Sequence, residues 1–306
     1  MKAVVTGGAG FIGSHLVEEL AKRQHEVMVF DDLSSGNLEN IRFSIETTKH
    51  YDIKFIQGSV TNFSLLSRLF QGIDYVFHQA AIPGISQSIR DPQATHEANV
   101  TGTLNVLLAA RDNKVKKVVF ASSCVVYGDS LCLPKREDMP PSPQSPYAVS
   151  KLAGEQYCRV FSEIYGLPTI CLRYFNVYGT RQNSNSQYAA VIPKFIERVL
   201  DNKPPIIFGD GKQTRDFVSV KDVVEANIQA AQSNIVGVFN IGKGVSISIN
   251  QLAELIIKIM GSRIEPVYQE PRLGDIRHSL AAISKAKQFG YNPKYGIEEA
   301  IKWQIF

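Results

Sequence analysis

The chain opens with an apolar segment, a glycine-rich turn and a helical apolar pattern, and this order restricts the fold more than any other feature. Residues 2–6 predict a buried strand, and Gly7, Gly10 and Gly13 lead into the periodic apolar residues of 11–20. Glycines at this spacing form a tight turn, let the backbone approach a pyrophosphate and pack a helix closely on a strand. The helix N-terminus then favours the anion. The opening therefore predicts a dinucleotide-binding turn.

An acidic pair after the second predicted strand indicates which dinucleotide is bound. Strand 26–30 ends at Asp31 and Asp32, about 20 residues beyond the glycines. A carboxylate at this point accepts a hydrogen bond from the ribose 2′-hydroxyl, and two carboxylates repel a 2′-phosphate. No arginine follows at once. The sequence therefore predicts NAD rather than NADP as the cofactor.

Strands and helices alternate through the first half of the chain. Further strands are predicted at 54–58, 74–81, 117–121 and 168–173, and a long helix at 91–113. Strict alternation predicts an α/β fold with a doubly wound parallel sheet, whose ligands lie beyond the carboxyl ends of the strands. Gly7, Asp31, Ala80 and Ser123 fall at those ends, so we expect them to face one crevice.

The pattern changes after Gly179 and predicts a second, smaller lobe. A polar loop-like stretch at 180–187 is followed by predicted helices at 190–200, 220–232 and 249–260 and by strands at 238–241 and 264–267. We expect one domain to comprise residues 1–179 plus about 215–242. Residues 180–214 and 243–306 then form a smaller α/β C-terminal lobe for substrate.

A tyrosine and a lysine four residues apart form the candidate catalytic pair. Tyr147 and Lys151 lie in a stretch of good helix formers, so the phenol and the ammonium share one face. An ammonium near a phenol favours the phenolate and lowers a pKa that is normally about 10. Ser122 and Ser123 end a predicted strand, where a hydroxyl can pass a substrate proton to that phenolate. An ordinary surface pair is the alternative, and the shared crevice argues against it.

Composition excludes several other classes of protein. No run of about 18 apolar residues predicts a transmembrane helix, and the six histidines show no metal-ligand spacing, so no metal site is expected. Four cysteines without CxxC spacing fit reduced thiols in the cytoplasm. The net charge of +4 is mild, and the basic run 111–117 lacks interleaved aromatic residues, so no nucleic-acid binding is expected. An anionic group such as a nucleotide diphosphate would account for two of four loop arginines: Arg181, Arg215, Arg272 and Arg277.

Motifs along nearly the whole chain resemble a known family. They are TGGAGFIGSHL (6–16), DDLSSG (31–36), HQAA (78–81), NVTGT (99–103), FASSCVVYGD (120–129), SPYAVSK (145–151), RYFNVYG (173–179), GDGKQTRDFV (209–218) and EPRLGDIRHSLA (270–281). The chain is similar to the extended short-chain dehydrogenase/reductases, which have a Rossmann sheet, and within them to the UDP-sugar 4-epimerases. The similarity is greatest to UDP-N-acetylglucosamine 4-epimerases and UDP-glucose 4-epimerases, which implies epimerisation at C4 through a 4-keto sugar and a tightly held NAD.

The resemblance implies a role for each matching residue. Ser123, Tyr147 and Lys151 would be the catalytic set. The implied NAD contacts are Gly7, Gly10, Phe11, Ile12, Gly13, Asp31, Asp32, Ser34, Ser59, Val60, Gln79, Ala80, Asn99, Ser122, Tyr147, Lys151 and Tyr174. The implied UDP-sugar contacts are Ser123, Asn176, Ala189, Val191, Ile206, Phe208, Arg215, Arg272 and Ser279. Relatives pair two helices, here about 91–113 and 147–165, into a four-helix bundle, which implies a homodimer.

Departures from the family pattern bear on the substrate. Ser59 and Val60 replace the usual Asp-Ile or Asp-Val pair that touches adenine, and Pro83 replaces a lysine of galactose-type enzymes. Ser279 stands where enzymes that reject N-acetylated sugars carry a tyrosine, so it leaves volume for an acetamido group.

Sister activities are separated by single positions. No carboxylate follows Ser123, which disfavours a dehydratase or decarboxylase. Asn176 and the absence of a GRPDM-like segment disfavour a UDP-glucuronate 4-epimerase. That enzyme and a non-catalytic NAD(H)-binding sensor remain the alternatives.

Overall fold

Strands and helices alternate along the chain as the sequence predicts. The computed structural model of the protein describes residues 1–46, 53–182, 191–271 and 276–305. The strands are β1 (Lys2–Thr6), β2 (Glu26–Asp31), β3 (Ile53–Gln57), β4 (Tyr75–His78), β5 (Lys117–Ser123), β6 (Thr169–Tyr174), β7 (Asn176–Tyr178), β8 (Ile206–Phe208), β9 (Thr214–Arg215), β10 (Phe217–Ser219), β11 (Gly237–Ile241), β12 (Ile247–Ser248) and β13 (Val267–Gln269). The helices are α1 (Phe11–Lys22), α2 (Glu39–Glu46), α3 (Phe63–Leu69), α4 (Ile85–Arg90), α5 (Pro92–His96), α6 (Gly102–Asp112), α7 (Pro146–Tyr165), α8 (Val191–Leu200), α9 (Val220–Gln232), α10 (Ile249–Ile259) and α11 (Ile297–Ile305).

A seven-stranded parallel sheet forms the centre of the fold. The strand order is β11-β6-β5-β4-β1-β2-β3, and every neighbouring pair runs parallel. The order reverses between β1 and β4, which is where a doubly wound sheet leaves a crevice for a ligand. In the register of β5 and β6, Ser122 lies opposite Arg173 and Ser123 opposite Tyr174. The predicted doubly wound parallel sheet is confirmed.

Two predicted elements differ from the structure. The predicted helix at 91–113 consists of α5 and α6 joined by a π-helical turn, Glu97–Thr101. The predicted strand at 264–267 is wrong, because the strand there is β13, Val267–Gln269. Pro266 has no N–H to donate to a ladder, and pairing begins at the next residue, whose N–H donates to the Pro205 carbonyl at 2.9 Å.

Helix α7, which carries Tyr147, has clear start and stop signals. The Ser145 side chain caps it by accepting from the Ala148 N–H at 3.1 Å, and Pro146 occupies the first helical position. Gly166 ends it in the left-handed conformation, with φ of 66°. These local signals place Tyr147 in the first turn.

Apolar side chains form separate cores on the sheet and in the C-terminal part. The main sheet is covered on both faces, as a parallel sheet requires. Helices α8, α10 and α11 share a third core with Tyr178 and Phe217. Phe289 and Tyr291 pack against the main sheet instead, and the division into two domains stays a prediction. None of the described helices is long and apolar enough to cross a membrane.

Candidate active site

A cavity of about 450 Å³ lies at the carboxyl ends of the central strands. All the residues predicted to contact the cofactor line it, except Ser59 and Asn99. Gly7, Asp31 and Ala80 therefore share one crevice, as the strand ends predict, whereas Ser123, which was expected there too, is not a lining residue. The cavity also has lining residues that the sequence did not single out, among them Ile82 and Gln182. No motif contains Gln182, and its side-chain amide donates to the Val177 carbonyl on β7 at 3.2 Å.

The glycine turn fits a dinucleotide pyrophosphate. Gly7 has φ of +69°, and a Cβ there would lie 2.6 Å from the Ala80 nitrogen. At Gly13 a Cβ would overlap the Gly7 carbonyl, whereas at Gly10 it would meet only that oxygen, at 3.2 Å. Gly10 precedes α1 and offers no side-chain cap, so the N–H groups of the first turn stay available to an anion. The glycines thus leave space for a phosphate and supply its donors.

The carboxylates after β2 fit the ribose. Asp31 accepts from the Ala9 N–H at 2.9 Å with one oxygen and from the Leu33 N–H at 2.8 Å with the other. Burial raises the pKa of Asp31, and the two backbone donors oppose this rise. Each carboxylate oxygen has a second lone pair, so Asp31 can still accept from ribose hydroxyls. Asp32 lines the same cavity and accepts from the Ser34 N–H at 2.9 Å. This set suits NAD, since no cation lies among the lining residues near the two carboxylates.

Two residues implied as cofactor contacts lie elsewhere. Asn99 is buried behind the cavity wall, where its amide binds the Ile82 N–H at 2.7 Å, the Ile82 carbonyl at 3.1 Å and the Ser150 hydroxyl at 3.0 Å. Asn99 therefore holds the Ile82 backbone and the Ser150 hydroxyl, and its contact with the cofactor stays a prediction. Ser59 is likewise not a lining residue, and its hydroxyl bonds with Thr61 at 2.9 Å.

The predicted catalytic residues converge at the end of β5. Tyr147 and Lys151 line the cavity on consecutive turns of α7. Lys151 is buried, and its ammonium donates to the Ala121 carbonyl at 2.8 Å. The Ser123 side chain lies within hydrogen-bonding reach of the Tyr147 phenol. The structure therefore brings the tyrosine, the lysine and the serine together.

The predicted effect of Lys151 on Tyr147 is wrong for the protein by itself. Burial raises the pKa of Tyr147 to about 12, and the hydrogen bond with Ser123 opposes this rise only in part. Burial also lowers the pKa of Lys151 to about 8. The Lys151 nitrogen lies 5.8 Å from the centroid of the Tyr147 ring and bonds to the backbone, so it does not offset the loss of water around the phenol.

A second cavity, of about 270 Å³, lies beside the first. Five of the residues implied as substrate contacts line it, namely Asn176, Val191, Ile206, Phe208 and Arg215. Tyr174 lines the first cavity and Asn176 the second, so β6 and β7 lead from one to the other. Ser123 lines neither cavity, but it lies beside Tyr147, which lines the first. Ala189 and Arg272 lie outside the described residues.

The arginines expected near a diphosphate differ in their surroundings. Arg215 lines the second cavity, and its guanidinium donates to the Thr214 carbonyl at 2.9 Å. Arg181 pairs with Glu18, and Arg277 pairs with Asp210 at 2.9 Å. The last two therefore already have carboxylate partners. Ser279 lies next to this region, since its N–H donates to the Thr214 carbonyl at 3.1 Å.

The geometry supports proton transfer at a site that has room for two nucleotides. One cavity fits a dinucleotide and has Tyr147 on its wall with Ser123 nearby, and the other offers an arginine, an asparagine and apolar side chains. Across the part of the chain that the structure describes, no His, Cys, Asp and Glu side chains are grouped as a metal site.

Comparisons with known proteins agree with this site. The family model described as NAD dependent epimerase/dehydratase family matches residues 3–242. A putative UDP-glucose 4-epimerase of Methanocaldococcus jannaschii is 40% identical over 98% of this chain and 95% of its own length. The structure of a UDP-N-acetylglucosamine 4-epimerase from Methanobrevibacter ruminantium, in complex with UDP-N-acetylmuramic acid, matches with a TM-score of 0.95 at 41% identity, covering 99% of this chain and 96% of that one. The UDP-glucose 4-epimerase of Thermotoga maritima, with UDP-glucose, matches with a TM-score of 0.94 at 40% identity, covering 100% and 97%.

Proposed function

The chain belongs to the NAD dependent epimerase/dehydratase family, and we propose that it acts on UDP-N-acetylhexosamines as well as UDP-hexoses. It is a UDP-sugar 4-epimerase, an isomerase that uses NAD. The substrate pairs are UDP-GlcNAc with UDP-GalNAc, and UDP-glucose with UDP-galactose. The observation that carries this proposal is the position of Tyr147 on the wall of a dinucleotide cavity, with Ser123 beside it and with Arg215 lining a second cavity.

The residues at the end of β5 account for the proton transfers. Tyr147 accepts the proton of the sugar 4-hydroxyl, and Ser123, already bonded to Tyr147, relays it. When bound, NAD supplies the ring that takes the C4 hydride and returns it to the other face of the 4-keto sugar. Because burial holds the pKa of Tyr147 at about 12, the phenolate needs positive charge nearby. Lys151 provides one such charge on the next turn of α7.

The second cavity holds the UDP part of the substrate. Arg215 and Asn176 bind the diphosphate, since a guanidinium and an amide both donate to phosphate oxygens. Ile206 and Phe208 offer apolar surface to the uracil. Anchoring at the nucleotide end leaves the hexose free to turn over, which a reaction on both faces of C4 requires.

Ser279 supports the wider substrate range. It is 8% exposed, and its hydroxyl has no hydrogen-bond partner within the described ranges. A tyrosine at this position needs more volume beside Thr214 than serine does. An acetamido group bound there would offer polar atoms to the unpaired hydroxyl.

The protein also forms a homodimer in the cytoplasm under this proposal. Helix α7 exposes Val149 and Ile164 at 53% and 70%, which is unusual for side chains of this size and leaves an apolar face to be covered. The four cysteines are free thiols, as suits a reducing compartment. Light scattering of the wild type and of Ile164→Glu tests the dimer, since a monomeric wild type would contradict it.

Incubation of the purified protein with UDP-GlcNAc and, separately, with UDP-glucose tests the proposed function. No NAD is added, and the ratio of 4-epimers is read by proton NMR. Conversion of both supports the proposal, and conversion of UDP-glucose alone contradicts the argument from Ser279. If a third incubation shows that only UDP-glucuronate is converted, the protein is a UDP-glucuronate 4-epimerase instead. Release and exchange of NAD without conversion of any sugar would indicate a sensor.

A further inference from the structure

A buried ion pair lies beside the candidate catalytic residues without belonging to either cavity. Glu155 on α7 and Arg173 on β6 are joined by two bonds, Nε to Oε1 at 2.8 Å and Nη2 to Oε2 at 2.7 Å. Their side chains are 1% and 4% exposed. A buried pair is weak evidence for stability, because an apolar pair of the same volume is often equally stable. The cost of burying these charges points to a role in the site.

The pair contacts the candidate site at two points. The Ser122 hydroxyl donates to Oε1 of Glu155 at 2.5 Å, and Ser122 lines the cofactor cavity next to Ser123. Glu155 is also one helical turn beyond Lys151, on the same face of α7. Its negative charge opposes the effect of burial on the pKa of Lys151, which is lowered to about 8.

The groups that face Lys151 come from three elements. Its ammonium lies 5.2 Å from the centroid of the Phe120 ring and bonds to the Ala121 carbonyl, both on β5. From β4 it faces His78, which is neutral because burial lowers its pKa to about 3. From α7 it faces Tyr147 and the carboxylate of Glu155. Glu155 is therefore the only anion among these groups while Tyr147 is protonated.

We propose that Glu155, held by Arg173, is a positioning residue for Tyr147 and Lys151. It fixes the end of β5 through Ser122 and supplies the negative charge that balances the buried Lys151 ammonium. Two cations, Arg173 and Lys151, then share one carboxylate, and a deprotonated Tyr147 is the second anion of the cluster. While Tyr147 is protonated, Arg173, Lys151 and Glu155 together carry one uncompensated positive charge, and the phenolate balances it. The catalytic role of Glu155 rests on the proposed function, whereas its effect on the Lys151 pKa is tested without it.

The test follows the Lys151 amine directly. Lysine labelled with ¹³C at Cε is titrated by NMR in the purified protein, and Lys151→Met identifies the resonance. Glu155→Gln should lower the pKa of Lys151 by about one unit or more, because the amine loses its carboxylate and Arg173 is left uncompensated. Removing both charges, with Glu155→Gln and Arg173→Met together, should reverse most of that shift. Glu163→Gln, exposed on the same helix and paired with Arg159, is the matched control.

The pH profile of epimerisation gives the second readout. Its alkaline limb should move to lower pH in Glu155→Gln and return in the double variant, with no movement in the Glu163→Gln control. An unshifted Lys151 in folded Glu155→Gln, or a larger shift in the double variant, would overturn the proposal. If Glu155→Gln does not fold, Arg173→Met is measured instead. It should raise the Lys151 pKa, which is the opposite of the shift expected for Glu155→Gln. A wild type that converts no UDP-sugar would contradict the proposed function and leave the NMR result standing.

Discussion

Replacing Tyr147 with phenylalanine separates its chemical role from its structural one. The hydroxyl has the Ser123 side chain as its hydrogen-bond partner, and the ring keeps its place on the cavity wall when only the oxygen is lost. Loss of one such bond costs about 1 kcal/mol of unfolding free energy. Loss of a positioned acid or base costs about 10²- to 10⁴-fold in kcat, which is about 3–5 kcal/mol of barrier. We therefore expect a nearly inactive protein that remains folded.

The assay measures three quantities on the same sample. The 4-epimer ratio after incubation with UDP-GlcNAc or UDP-glucose gives the turnover, thermal unfolding gives the stability, and the nucleotide released on denaturation gives the NAD content. Tyr157→Phe, on the same helix but outside both cavities, is the control and should retain wild-type turnover. Turnover of Tyr147→Phe within tenfold of the wild type would refute the role of the phenol.

Three further sets of substitutions test the pocket, the buried histidine and the glycine turn. Ser279→Tyr should reduce turnover of N-acetylated substrates more than that of plain hexoses, while Ser279→Ala changes neither; equal losses would contradict the volume argument. His78 has a pKa of about 3 when folded and 6.5 when unfolded, so its contribution to stability is present above pH 6.5 and is lost as the pH falls. In urea unfolding, the stability difference between the wild type and His78→Gln should narrow by about 3 kcal/mol from pH 6.5 to 4, and a constant difference would argue against a neutral His78. Gly13→Ala should lower the melting temperature, because its Cβ meets the Gly7 carbonyl. Gly10→Ala should instead weaken NAD binding and have little effect on the melting temperature. The reverse pattern in NAD titration and thermal melting would contradict the roles given to these glycines.

Much of the fold and of the cofactor site was predictable because the relevant signals are local. The glycine turn, the acid pair after β2 and the alternation of strands and helices each follow from a few neighbouring residues. Parallel sheet topology then places every strand's carboxyl end at one edge, so Gly7, Asp31 and Ala80 share a cavity. The start of α7 was equally readable, since Ser145 and Pro146 cap it locally.

Two features of the site depend on contacts between distant segments, which neighbouring residues do not reveal. Asn99 lies in the π-helical turn and accepts a hydrogen bond from the Ile82 N–H. The pKa of Tyr147 was expected to fall because of Lys151, but burial by several elements raises it. The spacing of a tyrosine and a lysine sets their common helix face and leaves open how much water surrounds them.

The sequence by itself therefore determined the order of strands and helices, the dinucleotide turn and the identity of the candidate catalytic residues. Only the tertiary structure decided which of the loop arginines reaches a cavity of the candidate site. Arg215 lines the second cavity, whereas Arg181 and Arg277 lie outside both cavities and pair with Glu18 and Asp210, and nothing in their neighbouring residues distinguishes them. The same holds for Glu155 and Arg173, which meet only because α7 packs across β6. Hydrogen bonds and desolvation depend on three-dimensional proximity, and local sequence does not encode that proximity.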